Sequence, residues 1–296
     1  MDNPTKIMGI GELLWDLLPD GRHIGGAPAN VTFHTTLLGH QSIIVSRVGS
    51  DSAGTSLCAG LTELGLSQHF IQTDQTHPTG TIQVILDQAA RPTFDVTDDV
   101  AWDYLEWNPK LAQAASTAQL VCFGTLAQRH RQSRMTIQRF VDTAVAAIKV
   151  CDLNIRPPYQ TLEVIEEAAK LATVLKVNEE EFKQLCQLAH IHQGDDELAC
   201  QQLIQRYGLE LIAVTYGECG CLLATQSSTV HHRGYTVNVR DTTGAGDAFV
   251  AVLCHHLLRG TALSGIAEKA NRYAGWVTTQ SGAMPRADQN LLKLIV

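Results

Sequence analysis

The sequence predicts an α/β fold with a largely parallel central sheet and helices on both of its faces. Short apolar segments, which often end at Gly or Asn, alternate along most of the chain with segments of helical periodicity. Such alternation is typical of parallel sheets, because a crossover, usually a helix, must join each parallel strand to the next. Hydrophobic residues make up 45% of the 296 residues, which is enough to fill a large core. We therefore expect a single domain over residues 1–296.

The individual elements follow from the spacing of the apolar residues. Apolar runs that are too short for a helix predict buried strands, and apolar residues three and four positions apart predict helices. The predicted strands are 6–12, 42–49, 119–124, 150–154, 173–178 and 211–217, and the predicted helices lie near 29–38, 52–64, 132–148, 161–171, 179–189, 195–207, 247–258 and 264–280.

Two segments interrupt this alternation. Residues 17–26 contain a Pro-Asp-Gly turn signal, and residues 79–96 alternate like an antiparallel hairpin with a polar turn near 87–92. No helical segment lies within either of them. They predict a small sheet laid over one edge of the main domain, as a lid.

Charge and composition exclude several classes of protein. The formal net charge of −8 argues against a nucleic-acid partner. No apolar stretch reaches the ~18 residues of a membrane span, and the N-terminus lacks the features of a signal peptide. Most of the eight cysteines lie in apolar runs, so we expect reduced core thiols and a cytoplasmic protein. The spacing Cys219-x-Cys221 does not match zinc-type pairing, so a metal role is not expected for these cysteines.

Residues 239–253, VRDTTGAGDAFVAVL, combine a turn of small residues with the start of an apolar helix. The first amides of a helix have no internal acceptors, and glycines at 244 and 246 do not shield them. Such a helix start is a ready anion site. Asp247 stands at this junction, where it either only favours the helix start or belongs to a functional site.

GGAPAN at 25–30 is the second informative stretch. Gly25 and Gly26 are expected to let a ligand approach the backbone closely, and Asn30 offers a donor and an acceptor to hydroxyl groups. Asp16, in GELLWD, is expected just past the first strand, on the ligand side of such a sheet. An ordinary turn and helix start is the alternative interpretation. Neither a P-loop nor a complete dinucleotide fingerprint occurs, since GIGELL has Leu14 where the last glycine belongs.

Together, GGAPAN and DTTGAGDAF resemble the two sequence motifs of the ribokinase-like (PfkB) carbohydrate kinases. DLNIRP at 152–157, VNEEE at 177–181 and VTYGECG at 214–220 follow in the order typical of that family. GELLWD and DLNIRP resemble its fructokinase branch most. The resemblance covers essentially the whole chain and implies a ribokinase-like fold with a small β-sheet lid, and the ATP-dependent phosphorylation of a sugar hydroxyl.

The resemblance also implies a role for individual residues. Asp247 is the expected catalytic base, and the helix dipole is expected to keep it ionised. The amides of Gly244, Ala245 and Gly246 would form the anion hole for the transferred phosphoryl group. The other implied positions are Asp16, Gly25, Gly26, Asn30, Phe94 and Arg156 for the sugar; Asn178, Thr215, Gly217, Gly220, Gly246 and Asn271 for ATP; Glu181 for Mg²⁺ through water; and Asp241, Thr243 and the loop 279–285 for a monovalent cation such as K⁺.

The sequence specifies the identity of the sugar less closely than it specifies the type of reaction. Acidic residues at 95, 98, 99 and 103 disfavour an anionic acceptor such as 2-keto-3-deoxygluconate, so a neutral sugar is expected, with fructose first and another ketose or a riboside next. Many fructokinases carry an arginine shortly after the position of Phe94; this chain has none there, and Arg91 is a candidate to replace it. A sugar sensor on a kinase scaffold and a redox protein are the alternatives from other classes. A homodimer through the lid is also compatible with the sequence.

Overall fold

The computed structural model describes residues 5–18, 21–86 and 92–296. The helices are α1 (Ala27–Leu37), α2 (Ser52–Glu63), α3 (Pro109–Ser116), α4 (Arg131–Thr143), α5 (Leu162–Leu171), α6 (Glu179–Leu188), α7 (Asp196–Tyr207), α8 (Ala245–Leu258), α9 (Leu263–Thr278) and α10 (Gln289–Ile295). The strands are β1 (Lys6–Ile10), β2 (Leu14–Leu18), β3 (Gly21–Gly25), β4 (Gln41–Gly49), β5 (Ser67–Asp74), β6 (Gly80–Leu86), β7 (Pro92–Val96), β8 (Leu120–Gly124), β9 (Ile148–Asp152), β10 (Val174–Asn178), β11 (Leu211–Thr215), β12 (Cys221–Ala224) and β13 (Thr229–His232).

A nine-stranded sheet runs through the described part of the chain in the order β13-β12-β11-β10-β9-β8-β1-β4-β5. The strands from β11 to β5 pair in parallel, and only β12 and β13 pair antiparallel, at one end. The carboxyl ends of the parallel strands therefore meet at one edge of the sheet, which is where such folds bind ligands.

Helices cover both faces of this sheet. On one face, side chains of α3 to α7, such as Phe140 and Leu203, share a core with the sheet. On the other face, α8 packs with α9, α10 and α1. All residues of α8 from Ala248 to His256 are buried, which agrees with its nearly uniform apolar composition. None of the helices in the described ranges combines the length and hydropathy that a bilayer-spanning segment needs. These findings confirm the predicted fold class.

A separate small sheet has the order β3-β2-β6-β7 within the described residues. Its β2–β3 and β6–β7 pairs are antiparallel, which agrees with the hairpin predicted for residues 79–96, whereas β2 and β6 pair in parallel. The sheet packs on α2, where Trp15 Nε1 donates to Ala53 O at 3.0 Å and the Ile24 side chain lies against Gly60.

The first connection between the two sheets, from β1 to β2, is short. Only Gly11, Glu12 and Leu13 separate β1 from β2, and all three are buried. The Gly11 carbonyl accepts from Ser46 Oγ at 2.6 Å, and the Gly11 amide donates to Val45 O at 3.1 Å. At this point the small sheet is therefore connected to the main sheet by buried, hydrogen-bonded residues rather than by an exposed loop.

Candidate active site

The N-termini of α1 and α8 meet beyond the carboxyl ends of β1, β9 and β10. Asn30, in the first turn of α1, donates from Nδ2 to Asp247 Oδ2 at 2.7 Å. Its Oδ1 atom is buried and has no hydrogen-bond partner among the described residues. The contact joins the two glycine-containing motifs, which lie 217 residues apart in sequence.

The charge state of Asp247 differs from the sequence expectation. The dipole of α8 is expected to keep the carboxyl ionised, but burial raises the pKa of Asp247 to about 7. The nearby Asp152 carboxyl raises this pKa further, whereas the Asn30 hydrogen bond and the charges of Lys176 and Arg156 lower it. Desolvation is larger than a surface dipole effect because the group lies inside the cleft. Asp247 is therefore poised to exchange a proton near neutral pH.

The turn before α8 keeps most of its backbone donors available. Gly244 is the N-cap residue, has φ of 77° and offers no side-chain cap. Because a Cβ on Gly244 would lie 2.6 Å from the Ala283 Cα atom, the turn packs directly on the loop 279–285. The Ala245 amide donates to Thr242 O at 3.3 Å, so this predicted anion-hole donor is partly engaged. The Gly246 and Asp247 amides precede the first helical bond, which Ala248 makes to Gly244 O.

His34 fixes the loop behind this turn, and the sequence reasoning missed it. The ring is fully buried, which lowers the pKa of His34 to about 4, so it is neutral. Because a backbone carbonyl can only accept, Nε2 donates to Ala283 O at 2.9 Å, and Nδ1 accepts from the Tyr273 hydroxyl at 3.0 Å. A histidine among apolar helix residues was the available signal.

Asp16 lies in a different place from the one predicted. It belongs to β2 of the small sheet, opposite His23 of β3, and not to the end of a main-sheet strand. The expectation failed because the first apolar run contains two strands joined by a buried segment. Burial raises the pKa of Asp16 to about 6, against the charges of His23 and Arg156.

The two glycines of GGAPAN make room for the protein itself. A Cβ on Gly25 would lie 2.1 Å from Asp16 Oδ2, so the carboxylate occupies the space that the glycine leaves. Gly26 has φ of 108°, and a Cβ there would lie 2.4 Å from the Glu12 carbonyl oxygen. The close approach expected of a ligand is thus made in the structure by neighbouring protein atoms.

Glu12 is a second residue that sequence reasoning missed. Its Oε1 accepts from the Ala27 amide at 3.1 Å and so caps α1, whose N-cap residue Gly26 has no side chain. Its Oε2 is buried without a partner among the described residues. Burial raises the pKa of Glu12 to about 7, although its own amide and that of Ala27 lower it.

The structure describes some but not all of the other residues that were predicted to bind the sugar. Arg156 follows β9, donates from its amide to Gln160 Oε1 at 2.8 Å and interacts electrostatically with Asp16 and Asp247. Phe94 lies in β7, where its backbone pairs with Val84. Arg91 and most of the predicted turn at 87–92 lie outside the described residues.

Asn178 and Glu181 form a capping box at the start of α6. Asn178 Oδ1 accepts from the Glu181 amide at 2.9 Å, and Glu181 Oε2 accepts from the Asn178 amide at 2.8 Å. Glu181 Oε1 accepts from the Ile155 amide at 2.8 Å. Both carboxylate oxygens are therefore oriented by backbone amides, which fits an indirect contact with Mg²⁺ through water better than direct ligation.

The predicted nucleotide-side residues lie on β11, the turn after it and α9. Thr215 ends β11, and the turn at 217–220 uses left-handed backbone at Gly217 and Gly220. A Cβ on Gly220 would lie 1.8 Å from the His232 carbonyl oxygen, so only glycine fits there. Asn271 on α9 is buried and donates to Ala267 O at 2.7 Å.

The predicted cation loop is closed by one carboxylate. Asp241 Oδ1 accepts from the Thr243 amide at 2.9 Å, and Oδ2 accepts from the Gly282 amide at 2.8 Å. Burial opposes ionisation, but these amides and the Thr243 side chain hold the pKa of Asp241 below its usual range. The loop 279–285 is thus tied to both Asp241 and, through Ala283, the turn before α8.

Comparisons with known proteins span most of the chain. A family model described as pfkB family carbohydrate kinase matches residues 20–290. A putative sugar kinase of Pyrococcus horikoshii is 33% identical over 307 residues, which cover 96% of this chain and 94% of the relative. A fructokinase of Salmonella typhimurium is 32% identical over 299 residues, which cover 95% of each chain.

Solved structures extend the comparison to ligands. The Pyrococcus horikoshii kinase in complex with ATP has a TM-score of 0.81 and 30% identity, over 98% of this chain and 100% of that chain. A Vibrio cholerae fructokinase with fructose, ADP and calcium has a TM-score of 0.80 and 27% identity, over 98% of both chains. A double mutant of the Vibrio cholerae enzyme holds fructose, ADP and potassium, with a TM-score of 0.82 and 26% identity over 100% and 99% of the two chains.

Proposed function

The chain belongs to the pfkB family of carbohydrate kinases, and from this premise we propose that it transfers the γ-phosphate of ATP to a hydroxyl of a neutral sugar, with fructose the first candidate. The observation that carries the proposed mechanism is the contact between Asn30 and Asp247 at the uncapped start of α8. It puts a carboxyl with a pKa of about 7 beside backbone donors that suit a phosphoryl group.

In the proposed reaction, Asp247 orients the sugar hydroxyl and accepts its proton. The hydroxyl oxygen forms a bond to the γ-phosphorus, and the bond from the γ-phosphorus to the β,γ-bridging oxygen breaks. The Gly244 and Gly246 amides would stabilise charge on the transferred group, with a smaller part for Ala245, whose amide is engaged by Thr242. Such a transition state needs positioning and charge stabilisation more than covalent chemistry.

The sugar pocket is proposed to use Asp16, Asn30 and Arg156, with Gly25 and Gly26 shaping its wall and Phe94 contributing from β7. The Oδ1 atom of Asn30 is buried without a hydrogen-bond partner in the described part of the chain, which makes it a suitable acceptor for a sugar hydroxyl. Asp103 is buried and paired with Arg129 at 2.7 Å, so it does not repel an anionic sugar. The remaining acidic residues 95, 98 and 99 are exposed. The preference for fructose is therefore supported more by the fructokinase relatives than by these charges.

For ATP, we propose Asn178, Thr215, Gly217, Gly220 and Asn271 as the binding residues. Mg²⁺, when bound, would neutralise phosphate charge, and Glu181 fits a contact to it through water. Asp241, Thr243 and the loop 279–285 are proposed to bind a monovalent cation such as K⁺, and one of the similar fructokinase structures holds a potassium ion. The cytoplasmic location and the homodimer through the small sheet stay predictions.

Turnover on a sugar panel tests the substrate. With ATP and Mg²⁺, we expect kcat/KM to be highest for fructose among fructose, ribose, a nucleoside and 2-keto-3-deoxygluconate, measured by ADP release. A higher value for another sugar would disprove fructose while leaving the kinase assignment intact. Sugar binding with no turnover on any sugar would instead support the sensor alternative.

The pH dependence follows from the pKa of Asp247. A base with a raised pKa is protonated and inactive below that value, so kcat/KM for the sugar should fall about tenfold per pH unit below pH ~7. Glu12 is also buried with a pKa of about 7, so the Glu12→Gln variant is the control. If the fall of kcat/KM at acid pH persists in Glu12→Gln, the titrating group is Asp247. If the fall disappears in this variant, the titrating group is Glu12.

The small sheet is proposed to act as a lid that excludes water from the reacting phosphate. Its strand β3 carries His23, which lies near Gly282 of the loop 279–285. We expect amide hydrogen exchange in β2, β3 and β6 to slow when sugar binds, while exchange in β12 and β13, at the far end of the main sheet, stays constant. Equal exchange of the lid strands in both states would contradict closure.

A further inference from the structure

A buried ion pair lies directly under the first turn of α8. Lys176 Nζ is 3.1 Å and 3.2 Å from the two carboxylate oxygens of Asp152, and both side chains are less than 10% exposed. Lys176 stands in β10 and Asp152 ends β9, where the two residues lie opposite each other on neighbouring parallel strands of the central sheet. Lysine and aspartate are rarely buried in this way.

The ammonium group also reaches the proposed anion hole. A Cβ on Gly246 would lie 3.2 Å from Lys176 Nζ, so the charge sits beside the Cα atom of the residue that precedes Asp247. Burial opposes this charge, but Asp152 and Glu181 hold the pKa of Lys176 above its usual range. A positive charge is thereby maintained at the point where the helix start faces the cleft.

Stability alone does not explain the pair. Removing two charges from water costs several kcal/mol per ion, and replacing a buried pair by apolar residues is often neutral or stabilising. The pair is also placed where both of its members act electrostatically on Asp247, with opposite signs. Its position therefore suits a role in the reaction.

We propose that Asp152 and Lys176 are positioning residues that together set the pH range in which Asp247 is ionised. Lys176 favours the ionised carboxylate, and Asp152 both holds the ammonium in place and opposes that ionisation. The groups that face Asp247 are Asn30 from α1, Cys122 from β8, Asp152 from β9, Lys176 from β10 and Arg156 from the segment after β9. Burial raises the pKa of Cys122, so its thiol is neutral. His34 of α1 is neutral, and His255 and His256 lie in the last turn of α8. This inference rests on the proposed role of Asp247 as the base.

Opposite shifts of one pH profile test the proposal. The acid limb of kcat/KM for the sugar, at saturating ATP and Mg²⁺, should move up by roughly one pH unit in Lys176→Met and down by roughly one in Asp152→Asn. The double variant should lie near the wild type. Lys183→Met is the matched control, because Lys183 also pairs with carboxylates but is 43% exposed on α6, and its limb should stay in place.

If the ion pair were only structural, the single variants would lose stability or kcat, but their acid limbs would not move in opposite directions. Acid limbs that stay in place, or that shift in the same direction in both single variants, would therefore overturn the proposal. If either single variant loses its cooperative thermal transition, Gly246→Ala replaces it. The added methyl would displace the ammonium from the start of α8, so the limb should move up as in Lys176→Met but by less. A limb that moves down in this folded variant would overturn the proposal. Full activity of Asp247→Asn would remove the base assignment itself, whereas an inactive Asp247→Asn with unmoved limbs defeats only the ion-pair inference.

Discussion

The variant Asp247→Asn is expected to lose about 100-fold or more in kcat, while its affinities for ATP and sugar stay close to those of the wild type. Asparagine has nearly the same shape and can still accept from Asn30 Nδ2, which lies 2.7 Å from Asp247 Oδ2. It cannot take the proton of the sugar hydroxyl. Steady-state kinetics and calorimetric titration with each substrate would measure the two quantities separately.

The control for this substitution is Asp288→Asn. Asp288 caps α10 by accepting from the Leu291 amide at 2.8 Å, and asparagine is an equally good cap. Its kcat should equal that of the wild type. Turnover of Asp247→Asn at the wild-type rate would remove Asp247 from the reaction.

The variant Asp16→Ala should weaken sugar binding by roughly 10- to 100-fold, with little change in ATP binding. A charged acceptor for a buried ligand hydroxyl contributes about 1.5–3 kcal/mol. The carboxylate stands against Gly25 and is held in this position by the two strands on either side of it, β3 and β6. Isothermal titration with the sugar would give the dissociation constant directly.

Asp95→Ala is the matched control, because Asp95 lies in β7 of the same small sheet but is exposed. Its sugar affinity should not change. If Asp16→Ala bound sugar with unchanged affinity, Asp16 would have a structural role in the small sheet, where it faces His23 across the strand pair.

Most strands of the main sheet could be predicted from the sequence because they are buried on both faces. Runs such as those at 42–49 and 211–217 are apolar without alternation, which leaves few other interpretations. The strand β5 was missed because it lies at the sheet edge and most of its residues are exposed or half-buried. The strands β12 and β13 have four residues each, and the helices α3 and α10 have eight and seven, so their patterns are too short to detect.

Only those residues of the candidate site that lie in recognisable motifs could be predicted from the sequence. The glycine-containing motifs identified Asp247 and Asn30, and the structure brings these two side chains into contact. Glu12, His34, Lys176 and Asp152 were missed, because each acts through a partner distant in sequence. Their signal was a charged or titratable residue within an apolar segment, and a single sequence does not show which partner such a residue meets. Asp16 was expected just past the first strand but lies within a second strand, β2, because the short buried segment 11–13 that separates the two strands contains only one glycine as a break signal.

The segment 11–13, which joins β1 to β2, has a consequence for the hydrolysis of ATP in the absence of sugar. Glu12 in this segment accepts from the Ala27 amide, so the proposed lid movement of the small sheet would be transmitted to the start of α1. Asn30 lies one turn further along that helix and is the side chain that contacts Asp247. Opening the cleft would thus draw Asn30 away from Asp247 in the same movement. Under the proposed lid movement, the cleft would be open to bulk water only while Asp247 lacks its contact with Asn30, which would limit ATP hydrolysis without sugar.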